Sequence, residues 1–211
     1  MIYKGVRRYF FGKAAAWLMS IFLAALRGYS DLSASFYLVI FSAVVTGLFE
    51  IICVYQLKLC NERLRFLFGT TVVYNLFYWC FIFTGVQELN YPVGILGFFN
   101  FYLLFFGLSA LAKQNEMPKV ARGFKRMFFF VLLIAPVCVL VIAVFIVVYI
   151  NPPIFLDYLN KNLILFGWPL YALTLYELYL VRKLCKGIQA REERQKKSKK
   201  KKAMTDADRL L

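Results

Sequence analysis

The chain has 211 residues, 62% of them hydrophobic and 19% aromatic, with a net charge of +15 and a mean hydropathy of +0.66. A soluble domain of this size is closer to half apolar, and here the apolar residues run in blocks of about 20, the length of a membrane span. No histidine is present, which excludes bis-His haem ligation, His-based zinc sites and His general bases.

The periodicity predicts an all-α, polytopic membrane bundle of six transmembrane helices. In chain order the spans fall at residues 9–26, 36–57, 66–84, 91–111, 127–150 and 163–180. The first is the weakest, because Lys13 interrupts it; that lysine is expected to snorkel to the cytosolic interface. The start of the chain is basic and then apolar, and with five more spans following it reads as a first span, not a cleaved signal peptide.

Orientation comes from the 26 Lys and Arg residues. Alternate gaps between the spans, counting the N-terminal segment as the first, hold 23 of them, Lys13 lies within the first span, and the remaining gaps hold only Arg27 and Lys161. By the positive-inside rule both termini are cytosolic. Residues 1–185 form the membrane domain on this reading, and residues 186–211 a polybasic cytosolic tail expected to be disordered, although Glu192 and Glu193 can pair with Lys196 and Lys197 at i,i+4 and begin it as a helix.

The loops are short. Residues 85–90 carry Glu88 as their one charge, and residues 151–162 open with Pro152-Pro153, so no sizeable lumenal domain exists. The basic segment 113–126, with Met117, Val120 and Phe124, and the N-terminal segment with Tyr3, Val6 and Phe10, have amphipathic spacing suited to the membrane surface. Tyr9, Tyr55, Tyr91, Tyr149, Tyr158 and Tyr179 fall near span ends, as in an aromatic belt.

Polar groups within spans are the candidate functional residues. Glu50 lies about 12 Å inside the end of span 2 at 1.5 Å per residue. Its carboxylate there is protonated or partnered: either a proton or substrate site, or a hydrogen bond to the neighbouring helix at Thr70 or Thr71. Glu177 reads as an interfacial acid neutralised by Arg182 and Lys183, or as part of a transport path. Asn75 and Asn100 are equidistant from the middle of the loop between spans 3 and 4. They are therefore expected at one depth and bonded to each other.

Lys196, Lys197, Lys199, Lys200, Lys201 and Lys202 surround Ser198. They suit anionic lipid at the cytosolic face or an acidic partner, and Ser198 is a candidate phosphorylation switch. Cys60 and Cys185 are juxtamembrane candidates for palmitoylation. The five cysteines show no CxxC spacing and no disulfide framework is expected. No catalytic motif is recognisable, and neither a cofactor nor a metal is expected.

Ala34-Ser35-Phe36-Tyr37, the aromatic run from Tyr74 to Phe83, and Tyr91-Pro92-Val93 resemble the transmembrane protein 33 family of endoplasmic-reticulum and nuclear-envelope proteins. The likeness covers about a third of the chain. The family's basic residue after the Phe-Tyr pair is replaced here by Leu38 and Val39, and the polybasic tail is unlike it. The resemblance implies a non-enzymatic membrane protein that associates with membrane-shaping or nuclear-pore partners.

The expected function is therefore that of a non-enzymatic multi-pass endomembrane protein, of the endoplasmic reticulum or a related membrane. It would act in membrane organisation or as a complex subunit, touching lipid and other membrane proteins but no specific nucleic acid. The alternative is a small transporter or channel using Glu50, Asn75 and Asn100. A transporter requires a polar cavity faced by Glu50; a scaffold requires a closed bundle with both asparagines satisfied.

Overall fold

Each apolar run in the sequence becomes one long helix. The computed structural model describes residues 2–28, 32–149 and 163–208, and these hold α1 (Ile2–Gly28), α2 (Leu32–Leu57), α3 (Glu62–Thr84), α4 (Asn90–Gln114), α5 (Pro118–Tyr149) and α6 (Leu163–Asp208), with a 3₁₀ turn at Gln87–Leu89. Among the described residues no strand occurs. Among the described residues three segments are long and apolar enough to cross a membrane: Tyr37–Leu57, Glu62–Thr84 and Gln87–Gln114. They coincide with the second, third and fourth expected spans. The loop over residues 151–162, with Pro152, Pro153, Tyr158 and Lys161, lies outside the described residues, as does the Tyr149 side chain.

Local chemistry fixes the turns. Asn61 is extended (φ −162°) and its side-chain oxygen accepts from the Leu64 N–H at 2.9 Å, capping α3. The same amide donates to the Gly107 carbonyl of α4 at 2.8 Å, so one residue both starts α3 and fastens it to its neighbour. Gly85 ends α3 in the left-handed region (φ 68°), its N–H bonded to the Phe81 carbonyl at 2.9 Å. Between α4 and α5, Glu116 adopts φ 61°, and Pro118 opens α5, where its missing N–H costs nothing.

The helices close a ring in chain order: each packs on the next, and α6 returns to α1. The largest fully buried side chains gather at the end of the ring where the basic residues lie. They include Val6 and Tyr9 of α1, Leu57 of α2, Leu64 and Leu67 of α3, Leu108 of α4, Phe124 of α5 and Leu184 of α6. Val6 and Phe124 thus turn the apolar faces of both amphipathic basic segments into the bundle, where the sequence suggests the membrane surface. A neighbouring helix stands on that side, and close packing takes the face that lipid would otherwise cover.

The outside is the reverse of a soluble protein's. Phe41, Leu48 and Ile52 of α2, Phe66 and Leu76 of α3, and Ile95 and Phe98 of α4 are exposed, whereas Thr71, Asn75, Asn100, Ser109 and Glu177 are buried. Apolar surface on this scale is what lipid covers.

The 46 residues of α6 span about 69 Å at 1.5 Å per residue, against a hydrocarbon core of about 30 Å. The helix runs through the segment expected to be disordered. Leu184, Cys185 and Ile188 are buried in the core, and the Arg191 guanidinium bonds the Gln114 carbonyl and the Glu116 carboxylate (3.1 Å) at the α4–α5 turn. The Tyr3 N–H of α1 donates to Glu192 at 3.3 Å, filling one of the free amides of that helix end. These contacts carry the bundle past residue 185, and residues 193–198 beyond them are exposed.

A polar chamber at the centre of the ring

Two cavities lie inside the ring, of about 290 Å³ and 280 Å³. Both are lined by Lys13, Glu50, Val54, Leu104 and Thr174, and they form two lobes of one chamber. All six helices contribute to its wall, α3 through Thr71 and Tyr74 and α5 through Met127 and Val131. Leu67, Phe105 and Met127 of the packed apolar core form part of its wall.

The charged residues in the wall are Lys13, Glu50 and Glu177. Glu177, 5% exposed, accepts a 2.7 Å hydrogen bond from the Tyr9 hydroxyl, and Lys13 Nζ lies 3.8 Å from its other oxygen. The partners expected for Glu177 were Arg182 and Lys183; those observed are Tyr9 and Lys13, across the α1–α6 contact. Lys13 correspondingly points into the ring, its side chain only 30% exposed, and does not snorkel. An ion pair with a buried carboxylate outweighs a reach to the interface because an unpaired charge is expensive there. Tyr9, 1% exposed, leaves the aromatic belt for the same bond, whereas Tyr55, Tyr91 and Tyr179 stay on the outside.

Glu50 accepts from the Asn75 amide at 3.4 Å, on α3 as expected but one turn beyond Thr71. Asn75 also donates to the Thr71 carbonyl at 2.9 Å. Asn100 donates to the Thr70 carbonyl at 3.5 Å. The expected bond between Asn75 and Asn100 is therefore absent: both are buried at the α3 surface, but each amide finds a backbone carbonyl one residue from the other's. Gly47 of α2 makes room, since a Cβ there would meet Asn75 Oδ1 and come within 3.0 Å of the Trp79 ring. Among the described residues three buried polar atoms have no hydrogen-bond partner: Trp17 Nε1, Thr71 Oγ1 and Asn100 Oδ1. All three belong to chamber-lining residues.

Away from the chamber, Cys60 and Cys185 are buried. Burial pushes each thiol up to about 11, and such thiols are poor nucleophiles. The accessible juxtamembrane cysteines required for acylation are not what the fold presents. Lys196, Lys197 and Ser198 are exposed on α6; the side chains of Lys199, Lys200, Lys201 and Lys202 lie outside the described residues.

This arrangement fits an integral membrane protein of all-helical class, apolar outside and polar within. No family model, curated protein or solved structure matches the chain.

Proposed function

We propose that the chain is a non-enzymatic six-span protein of the endoplasmic reticulum or a related endomembrane, with both termini cytosolic, acting in membrane organisation or as a subunit of a membrane complex. One observation carries this reading. The basic segment is delivered on a helix continuous with the bundle and clamped to it through Ile188, Arg191 and Glu192. A rigid, lysine-rich arm of that kind presents charge at a fixed angle to anionic lipid or to an acidic partner. Lysines near an anionic surface contribute about 1 kcal/mol each. The resemblance to the transmembrane protein 33 family supports the same class of role.

The experiment compares the full chain with a variant in which the six lysines from 196 to 202 are changed to Gln. Both are fluorescently labelled near the C-terminus in bilayers with and without phosphatidylserine. The tail of the parent should approach the bilayer only when the anionic lipid is present, and salt should release it. Equal behaviour of the two chains removes the arm from the mechanism.

The central chamber favours a second reading, a small transporter or channel. Glu50 faces a polar cavity and Asn100 is left half satisfied, which are the features that distinguish a solute path from a closed scaffold. Flux into proteoliposomes, lost on Glu50→Gln, is its test.

A further inference from the structure

The chamber carries one negative charge more than it balances. Among the described lining residues two carboxylates, Glu50 and Glu177, share one cation, Lys13, whose ion pair at 3.8 Å is with Glu177; Glu50 accepts from the neutral amide of Asn75 at 3.4 Å. In a low-dielectric interior a lone carboxylate is costly, and a single positive charge would settle it.

The second observation is independent of charge. Thr71 is fully buried and Asn100 is 7% exposed. Their side-chain oxygens have no partner, and both residues line the same lobe as Glu50. Buried acceptors are almost always satisfied. A carboxylate, a hydroxyl and an amide carbonyl, supplied by α2, α3 and α4, thus line one lobe, and the only ligand atoms they offer are oxygens. Hard cations take such sets. A divalent ion would leave an unbalanced positive charge; a monovalent one closes the count.

We propose that the α2–α3–α4 side of this lobe is a binding site for one small monovalent cation, an alkali-metal or ammonium ion, held by Glu50, Thr71 and Asn100. The inference rests on the chamber of the second reading but not on flux through it. Lys13 and Glu177 line the same lobe and pair with each other, so that the charge of Glu50 is left for the ligand.

The test is thermal unfolding of the purified full chain in lipid nanodiscs. Sodium, potassium or methylammonium chloride is titrated at constant ionic strength against N-methylglucamine chloride, whose cation is far larger than three ligand oxygens can enclose. At least one small cation should raise the unfolding temperature saturably, and the three arms separate alkali metal from ammonium. Glu50→Gln, which keeps the shape and removes the charge, should abolish the dependence. Asn100→Ala should shift its midpoint at least tenfold to higher concentration. Size-exclusion profiles and helical circular dichroism identify any variant that fails to fold, and Thr71→Val then takes its place. Equal unfolding temperatures in small and large cations, cation dependence retained in Glu50→Gln, or stability governed by pH alone would each overturn the proposal. Saturable binding without cation flux in proteoliposomes supports the site and removes the transport reading.

Discussion

The hydroxyl of Tyr9 donates to the carboxylate of Glu177 at 2.7 Å, joining α1 to α6 across the seam where the ring closes. Lys13, one turn along α1 from Tyr9, approaches the other carboxylate oxygen at 3.8 Å. The first and last helices are thus held by a buried acid with two donors on one helix face, which is the i,i+4 geometry of a helix.

Removing either donor should expose the cost of that burial. Tyr9→Phe is expected to destabilise the chain by about 1.5–3 kcal/mol, the range for a hydrogen bond to a charged group. Lys13→Ala should cost about 3–5 kcal/mol because it strands a buried carboxylate. Lys13→Ala with Glu177→Ala should recover part of that loss. Urea or thermal unfolding in a fixed detergent measures all three, and strict additivity would show that the two residues do not interact.

Gly47→Ala tests the approach of α2 to α3. Its Cβ would press on Asn75 Oδ1 and the Trp79 ring, at a cost of about 1–3 kcal/mol for overpacking. The Trp79 indole, which donates to the Ala43 carbonyl at 3.3 Å, should report the shift as a change in fluorescence. Unchanged emission and stability would mean that the helices are further apart than described.

Cys60 and Cys185 give a pH dependence whose sign follows from burial. Each thiol ordinarily titrates near 9 and is pushed up to about 11 in the fold. The folded state therefore holds its thiol protons more tightly than the unfolded state. The resulting stability is full below pH 9 and is lost as pH rises towards 11. Substituting both cysteines by Ala should flatten the stability curve over that window. At pH 8 both thiols should react with maleimide much more slowly in the folded chain than in denaturant.

Truncation separates the bundle from the arm. Ending the chain after residue 194 should leave its unfolding temperature unchanged, because the clamps at Ile188, Arg191 and Glu192 are retained. Ending it after residue 185 should lower stability measurably, since Ile188 leaves the core. Equal unfolding temperatures for the two truncations would contradict the extension of the core into α6.

Hydropathy made the membrane helices legible. The spans expected at residues 36–57, 66–84 and 91–111 match the apolar segments found, because blocks of about 20 apolar residues leave little choice of structure. That Glu50, Asn75, Asn100 and Glu177 would need partners was also legible, since polar groups in apolar runs are costly without them. Their partners were not. Equal depth brought Asn75 and Asn100 to the same stretch of α3, but depth says nothing of rotation about the helix axis, and the amides turned to carbonyls. Tyr9 lies 168 residues from Glu177, a separation no local pattern bridges. A signal did exist in Lys13 itself. A lone cation in the weakest span, at a depth comparable with an acid in the last, is a candidate ion pair.

The central claim is that α1 to α6 cross the membrane in alternation, so that every basic segment and both termini share the cytosolic face. Single cysteines placed at residues 4 and 204, and in a short polar insertion after Gly85, test it directly. They would be introduced into a cysteine-free background and probed in sealed microsomes with a membrane-impermeant maleimide. Labelling at both ends, with the insertion protected until detergent is added, is the expected result. Labelling of the insertion in intact microsomes, or protection of one terminus, would contradict the six-span account.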